Sequence, residues 1–148
     1  MKSRLDKATT TTIKNLVDRF CISWNAKDLD AFLEPFHADA EFTDVVNQTA
    51  LGKPAIRKQH EFAFKVVMKN AYLEISHHFI RSIVPDVVLV TANWLVKNSQ
   101  TPDGKMLPDR NGVIQFAISK DQNANWKIKL VHNADFALPY QKQERFIK

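Results

Sequence analysis

Three side chains stand where they could move a proton. Asp44 follows the alternating pair Ala40 and Phe42, so it shares their side of an extended segment. A carboxylate held against apolar neighbours loses hydration and becomes a base suited to neutral pH. His60 shares a helical face with Ile56 and Phe64, one turn away on either side. An imidazole there could act as acid or base, or orient a ligand. His132 alternates with Trp126, Ile128 and Leu130, and on such an apolar strand face it needs a partner, either Asp44 or a ligand. Each residue also has a plain structural role open to it: a loop-capping or ion-paired aspartate, and core histidines bonded to backbone.

A wall and a polar fringe can be assigned around these three. Phe20, Trp24, Phe36, Phe42 and Phe64 supply aromatic surface. Asn93 and Trp94 are adjacent in an extended run, so one of them faces inward, and Trp94 suits a packing role. Arg110 opens a later strand, where it could clamp an anionic ligand or pair with Asp109 or Asp103. By simple alternation Asn133 faces away from His132 unless a bulge intervenes. Aromatic walls with few polar groups suit a flat, apolar, carbonyl-bearing molecule. The partner expected is therefore a small apolar or aromatic ligand.

Other chemistries find little support. His77 and His78 are adjacent in a strand and point to opposite faces, while His37, His60 and His132 lack ligand spacing. Three glycines in 148 residues leave no phosphate-cradling loop, so no metal and no cofactor are expected. The lone Cys21 lies between Phe20 and Ile22, which suits a buried, inert thiol in a reducing compartment. Net charge is +5 and the pI about 9.4. The basic residues are scattered, from Lys2 and Arg4 to Lys142, Arg145 and Lys148, so no nucleic-acid partner is expected. The polar N-terminal stretch and the lack of a long apolar run point to a cytoplasmic protein without membrane contact.

The elements that must position these residues follow from periodicity. Helical stripes run from Thr10 to Asn25, with the threonine run as a cap, and from an Asp28 cap to about Pro35. A strand from Ala40 to Val46 leads to a helix opened by Gly52-Lys53-Pro54. Four long extended segments follow, Tyr72–Val84, Val87–Lys97, Asp109–Lys120 and Trp126–Phe136, joined by short turns and thus antiparallel. This order predicts one α+β domain over residues 1–148, with an ordered core of about 9–138 and a loose tail after Pro139. A homodimer is expected through the outer sheet face, formed by Tyr72, Val88, Val90, Ile118 and Val131.

Several local patterns point the same way. They are Trp24-Asn25-Ala26-Lys27-Asp28-Leu29-Asp30, Phe36-His37-Ala38-Asp39-Ala40-Glu41-Phe42, Gly52-Lys53-Pro54-Ala55-Ile56, Val84-Pro85-Asp86-Val87, and Trp126-Lys127-Ile128 leading to His132-Asn133. In this order and spacing the chain resembles the nuclear-transport-factor-2-like (cystatin-like) superfamily. Within it the chain resembles the SnoaL-like branch, and there the SgcJ/EcaC type. The resemblance implies a cone of three N-terminal helices packed on a curved, mostly antiparallel sheet around a small-molecule pocket. It implies an isomerase, cyclase or dehydratase-type enzyme working by proton transfer, or a non-catalytic ligand-binding or dimerisation module. Asp44 matches the general base of the ketosteroid isomerases. Phe20 stands at their tyrosine position and Gln115 near their acid position, so both enolate-stabilising donors are missing and steroid isomerisation is not expected. The oxidoreductase label of the SgcJ/EcaC type has no redox residue behind it here.

Overall fold

A computed structural model describes residues 5–136. Lys2, Arg4, Lys142, Arg145, Lys148 and the segment after Pro139 lie outside the described residues. The first helix, α1, is Lys7–Ala26. Its cap is Asp6, whose carboxylate accepts from the Thr9 amide at 2.6 Å, and not the threonine run. The hydroxyls of Thr10, Thr11 and Thr12 instead bond back to carbonyls one turn earlier. Ile13, Leu16, Val17, Phe20 and Trp24 are its buried stripe.

The Trp24–Asp28 pattern is a structural joint. Lys27 ends α1 in the left-handed region at φ 56°. Its ammonium donates to the Ala71 carbonyl at 2.8 Å and lies 3.7 Å from the centre of the Trp24 ring. Asn25 bonds both backbone groups of Leu73, at 2.9 and 2.7 Å, as a neighbouring strand would. Asp28 then caps α2, Leu29–Leu33. Cys21 donates to the Leu73 carbonyl, and burial pushes its thiol pKa up, away from reactivity.

Strand β1 is Phe36–Thr43 and β2 is Thr49–Leu51, a short edge strand that periodicity does not reveal. Helix α3, Lys53–Phe62, runs on into a π-helical turn, Ala63–Val67. The long strands are β3 (Tyr72–Val84), β4 (Val87–Lys97), β5 (Arg110–Lys120) and β6 (Trp126–Asp135). The third helix thus follows two strands, so the helices are not all N-terminal to the sheet. The sheet order is β2-β1-β6-β5-β4-β3. Every pairing is antiparallel except β1 with β6, which is parallel.

Two bulges decide which way side chains point. In β3 the register shifts between Ser76 and Phe79, with His77 at φ 55°. In β6, Ile118 opposes Ile128 while Ala117 opposes Leu130, so Lys129 is extra and the alternation beyond it reverses. Val131 consequently faces the helices, and Val88, Val90 and Ile118 share that covered face of the sheet; all four are 0% exposed, which corrects their assignment to the outer face. Only Tyr72 of that group is exposed. The outer face instead carries Leu89, Leu95, Val113 and the exposed Phe79. Inside, Phe20 meets Phe32 and Phe116 at centroid distances of 5.1 Å and Phe36 at 6.4 Å, and these rings form the heart of the core.

Candidate functional site

Beside this aromatic core lies a cavity of about 170 Å³. Helix α1 gives it Phe20 and Trp24, α3 gives Gln59 and His60, and the inward faces of β1 and β4 give Phe42 and Trp94. Asp44 and Val45 stand beside it in the β1–β2 turn, with Val46 of the same turn largely exposed. Arg110 and Asn133 line it from β5 and β6.

His60 is the best-defined polar group here. The four-residue spacing with Ile56 puts its Nδ1 against the Ile56 carbonyl at 2.8 Å. A carbonyl can only accept, so Nδ1 carries the proton and Nε2 keeps its lone pair. The ring packs between Phe32 and Phe42, with centroids at 4.7 and 4.5 Å. Burial holds its pKa below the usual value of 6.5, opposed by the Ile56 carbonyl and by the charge of Asp44. His60 is thus a neutral imidazole at physiological pH.

That shift carries a stability consequence. The unfolded chain takes up this proton near 6.5 and the folded chain only at lower pH. His60 therefore withholds no stability above 6.5 and removes it as pH falls through that value toward the folded pKa. Melting curves at pH 7.5 and 5.5 are expected to show a smaller acid loss of Tm in His60→Gln than in the parent. An equal or larger acid loss in the variant would contradict a depressed histidine.

Asp44 is occupied. Its Oδ1 accepts from the amides of Val46 and Gln48, both at 3.0 Å, and its Oδ2 from Gln59 Nε2 at 3.3 Å. It caps the β1–β2 turn and sits at the cavity, so its structural role and its proximity to the site coexist. Gln59 Nε2 also reaches the carbonyls of Phe42 and Gln48, at 3.3 and 3.1 Å, which leaves Oε1 buried and without a partner among the described residues. Trp94 Nε1 and Asn133 Oδ1 are likewise buried and unpartnered. Arg110 does not pair with Asp109 or Asp103. Its Nε and Nη2 donate to Asp135 Oδ2 at 2.9 and 2.6 Å.

The structure brings Asp44, His60, Phe20, Trp24, Phe42, Trp94 and Arg110 to one cavity. It separates four other candidates from it. His132 is exposed, because the Lys129 bulge exchanges its face with that of Asn133. Asn93 also faces outward, within 3.4 Å of His77 Nδ1, while its neighbour Trp94 takes the inward place. Phe36 is 0% exposed in the core, and Phe64 packs edge-on against Trp24 and Phe32. Gln115 faces outward and bonds Thr91. Gln59 and Asp135 went unnoticed in the sequence. Gln59 adjoins His60 and could have been found from the helix, whereas Asp135 depends on the bulge. Among the described residues no three His, Cys, Asp or Glu side chains gather as metal ligands. No helix among them is long and apolar enough to cross a membrane.

No curated protein matches the chain. Several crystal structures share its fold. An uncharacterised protein with a cystatin-like fold from Caulobacter vibrioides superposes with TM-score 0.79 at 23% identity, over 88% of this chain and 90% of that one. A cystatin-like protein of unknown function from Nostoc punctiforme gives TM-score 0.75 at 17% identity, over 92% and 98%. An NTF-2 like protein of unknown function from Shewanella oneidensis gives 0.70 at 17%, over 86% and 99%. At such identities the likeness speaks for the fold alone. The SnoaL-like domain family matches residues 17–120, more than half the chain, and the protein belongs to that family.

Proposed function

We propose that the cavity binds a small ring-bearing carbonyl compound and that His60 is the base that moves a proton on it. The observation that carries this reading is the His60 tautomer: Nδ1–H is held by the Ile56 carbonyl, so the lone pair resides on Nε2 of a neutral ring. Nε2 would take a proton from the carbon next to the carbonyl. The electron pair moves onto the carbonyl oxygen, where the unpartnered Trp94 Nε1–H can stabilise the enolate. The imidazolium then gives a proton back: to a different carbon, which completes isomerisation, or to the same carbon after trading its proton with solvent water, which completes hydrogen exchange. Asp44 supports this by charge, since it favours the protonated form of His60.

Deuterium incorporation from D2O into a simple cyclic ketone tests the reading. His60→Gln is expected to lower the protein-dependent rate about a hundredfold, in the range of general-base contributions. Trp94→Phe is expected to lower it roughly tenfold or more, as loss of an oxyanion donor does. Undiminished exchange in His60→Gln would remove His60 from the chemistry. A second reading, a ligand-holding module without turnover, is favoured by the presence of one free neutral donor where isomerases of this superfamily use two. Ketone binding by the parent protein without any exchange would select it.

A further inference from the structure

The size and polar complement of the cavity narrow the ligand further, an inference that rests on the binding role proposed above. The volume, about 170 Å³, is close to that of an engineered cavity of about 150 Å³ that holds benzene. It falls below the roughly 300 Å³ at which pockets for drug-sized ligands begin. One ring fills this volume between the walls, and a fused pair would extend beyond it toward solvent. The walls that would face the ring are Phe20, Trp24, Phe42, Met68 and Leu73.

The polar groups are unequal in kind. His60 Nε2 is an acceptor, because its other nitrogen donates to the Ile56 carbonyl. Gln59 Oε1 is an acceptor as well, and its orientation is fixed: Nε2 touches three oxygens, those of Phe42, Asp44 and Gln48. Asn133 Oδ1, across the cavity on β6, is buried without a partner as well, and its amide is free to turn either its oxygen or its N–H toward a ligand. Against these stands the indole N–H of Trp94. Arg110 has Nε and Nη2 committed to Asp135. A ligand with acceptors alone, such as an ether, leaves His60 and Gln59 unanswered, and buried acceptors without partners penalise the complex. A ligand with a donor satisfies one of them and can still accept from Trp94.

We infer that the cavity selects a single-ring compound bearing an O–H or N–H donor, of the phenol class or the enol form of a cyclic ketone. The test is fluorine NMR titration of the full chain with fluorobenzene, para-fluoroanisole, para-fluorophenol and a fluorinated two-ring naphthol. The anisole keeps the ring and the oxygen acceptor but lacks the donor. The phenol is expected to bind at least about tenfold more tightly than the anisole or fluorobenzene, a difference of about 1.4 kcal/mol. The naphthol is expected to bind more weakly than the phenol. In His60→Leu and Asn133→Leu the advantage of the phenol should shrink while fluorobenzene still binds, which shows that the cavity itself persists. Equal binding of anisole and phenol, or tighter binding of the naphthol, would overturn the ligand class and leave the binding role standing. Binding of none of the four would overturn both.

Discussion

Gly112→Ala is expected to destabilise the protein by about 3 kcal/mol or more, enough in a chain of this size to lower Tm by roughly 10 °C. The reason lies in close approach and not in backbone conformation. A Cβ at this position would stand 1.9 Å from the Ala134 carbonyl oxygen and 2.6 Å from the Trp94 ring. The first neighbour is backbone and cannot rotate away. Relief requires β5 and β6 to part where Gly112 pairs with Asp135, or the indole to leave its place above the glycine. Either motion also disturbs the cavity, because Trp94 forms part of its wall. Thermal unfolding measured alongside the near-ultraviolet signal of tryptophan checks both effects. A Tm within about 2 °C of the parent would mean that the strands yield far more readily than close-packed sheets do.

Phe20→Ala carries an effect of similar size by the opposite route, removal in place of crowding. Phe20 is 2% exposed and sits among Phe32, Phe36, Phe42 and Phe116. Losing the ring forfeits its transfer free energy and the edge-on contact with Phe116, about 4 kcal/mol together. Urea unfolding should therefore show a midpoint shifted well downward with little change in slope. Because Phe20 also lines the cavity, the same deletion enlarges it. A folded Phe20→Ala protein should then bind the two-ring naphthol more tightly than the parent does. A loss under about 1 kcal/mol would show that the ring neighbours collapse into the gap.

What was legible in the residues follows the length of the regular repeats. Helix α1 is marked by Ile13, Leu16, Val17, Phe20 and Trp24, and all of them are buried. His60 could be placed on an inward face because the helical spacing is unbroken from Ile56 to His60, ahead of the π-helical turn at Ala63. Asp28 announces the start of α2 by its residue type and its position before Leu29.

The strands were less transparent. Trp126-Lys127-Ile128-Lys129-Leu130 reads as unbroken alternation, yet the bulge falls at Lys129 with no glycine or proline to mark it. One residue of slip exchanged His132 for Asn133 and hid the Arg110–Asp135 pair. In β4 both faces are rich in aliphatics, so Val88 and Val90 could not be told from Leu89 by pattern alone. The buried face is set by which residues the helices cover, and that is decided by partners distant in sequence. The short β2 strand offers too few residues for any period to emerge.

The one parallel pairing has a kinetic side. Strand β1 forms early in the chain, but its neighbour in the main sheet is β6, the last strand. Until β6 is in place, β1 holds only the three-residue β2, too little for a hairpin to stand in water. The early segment that bears Phe42 and leads into Asp44 is therefore secured by the latest element to become available. Such long-range closure slows the completion of the sheet.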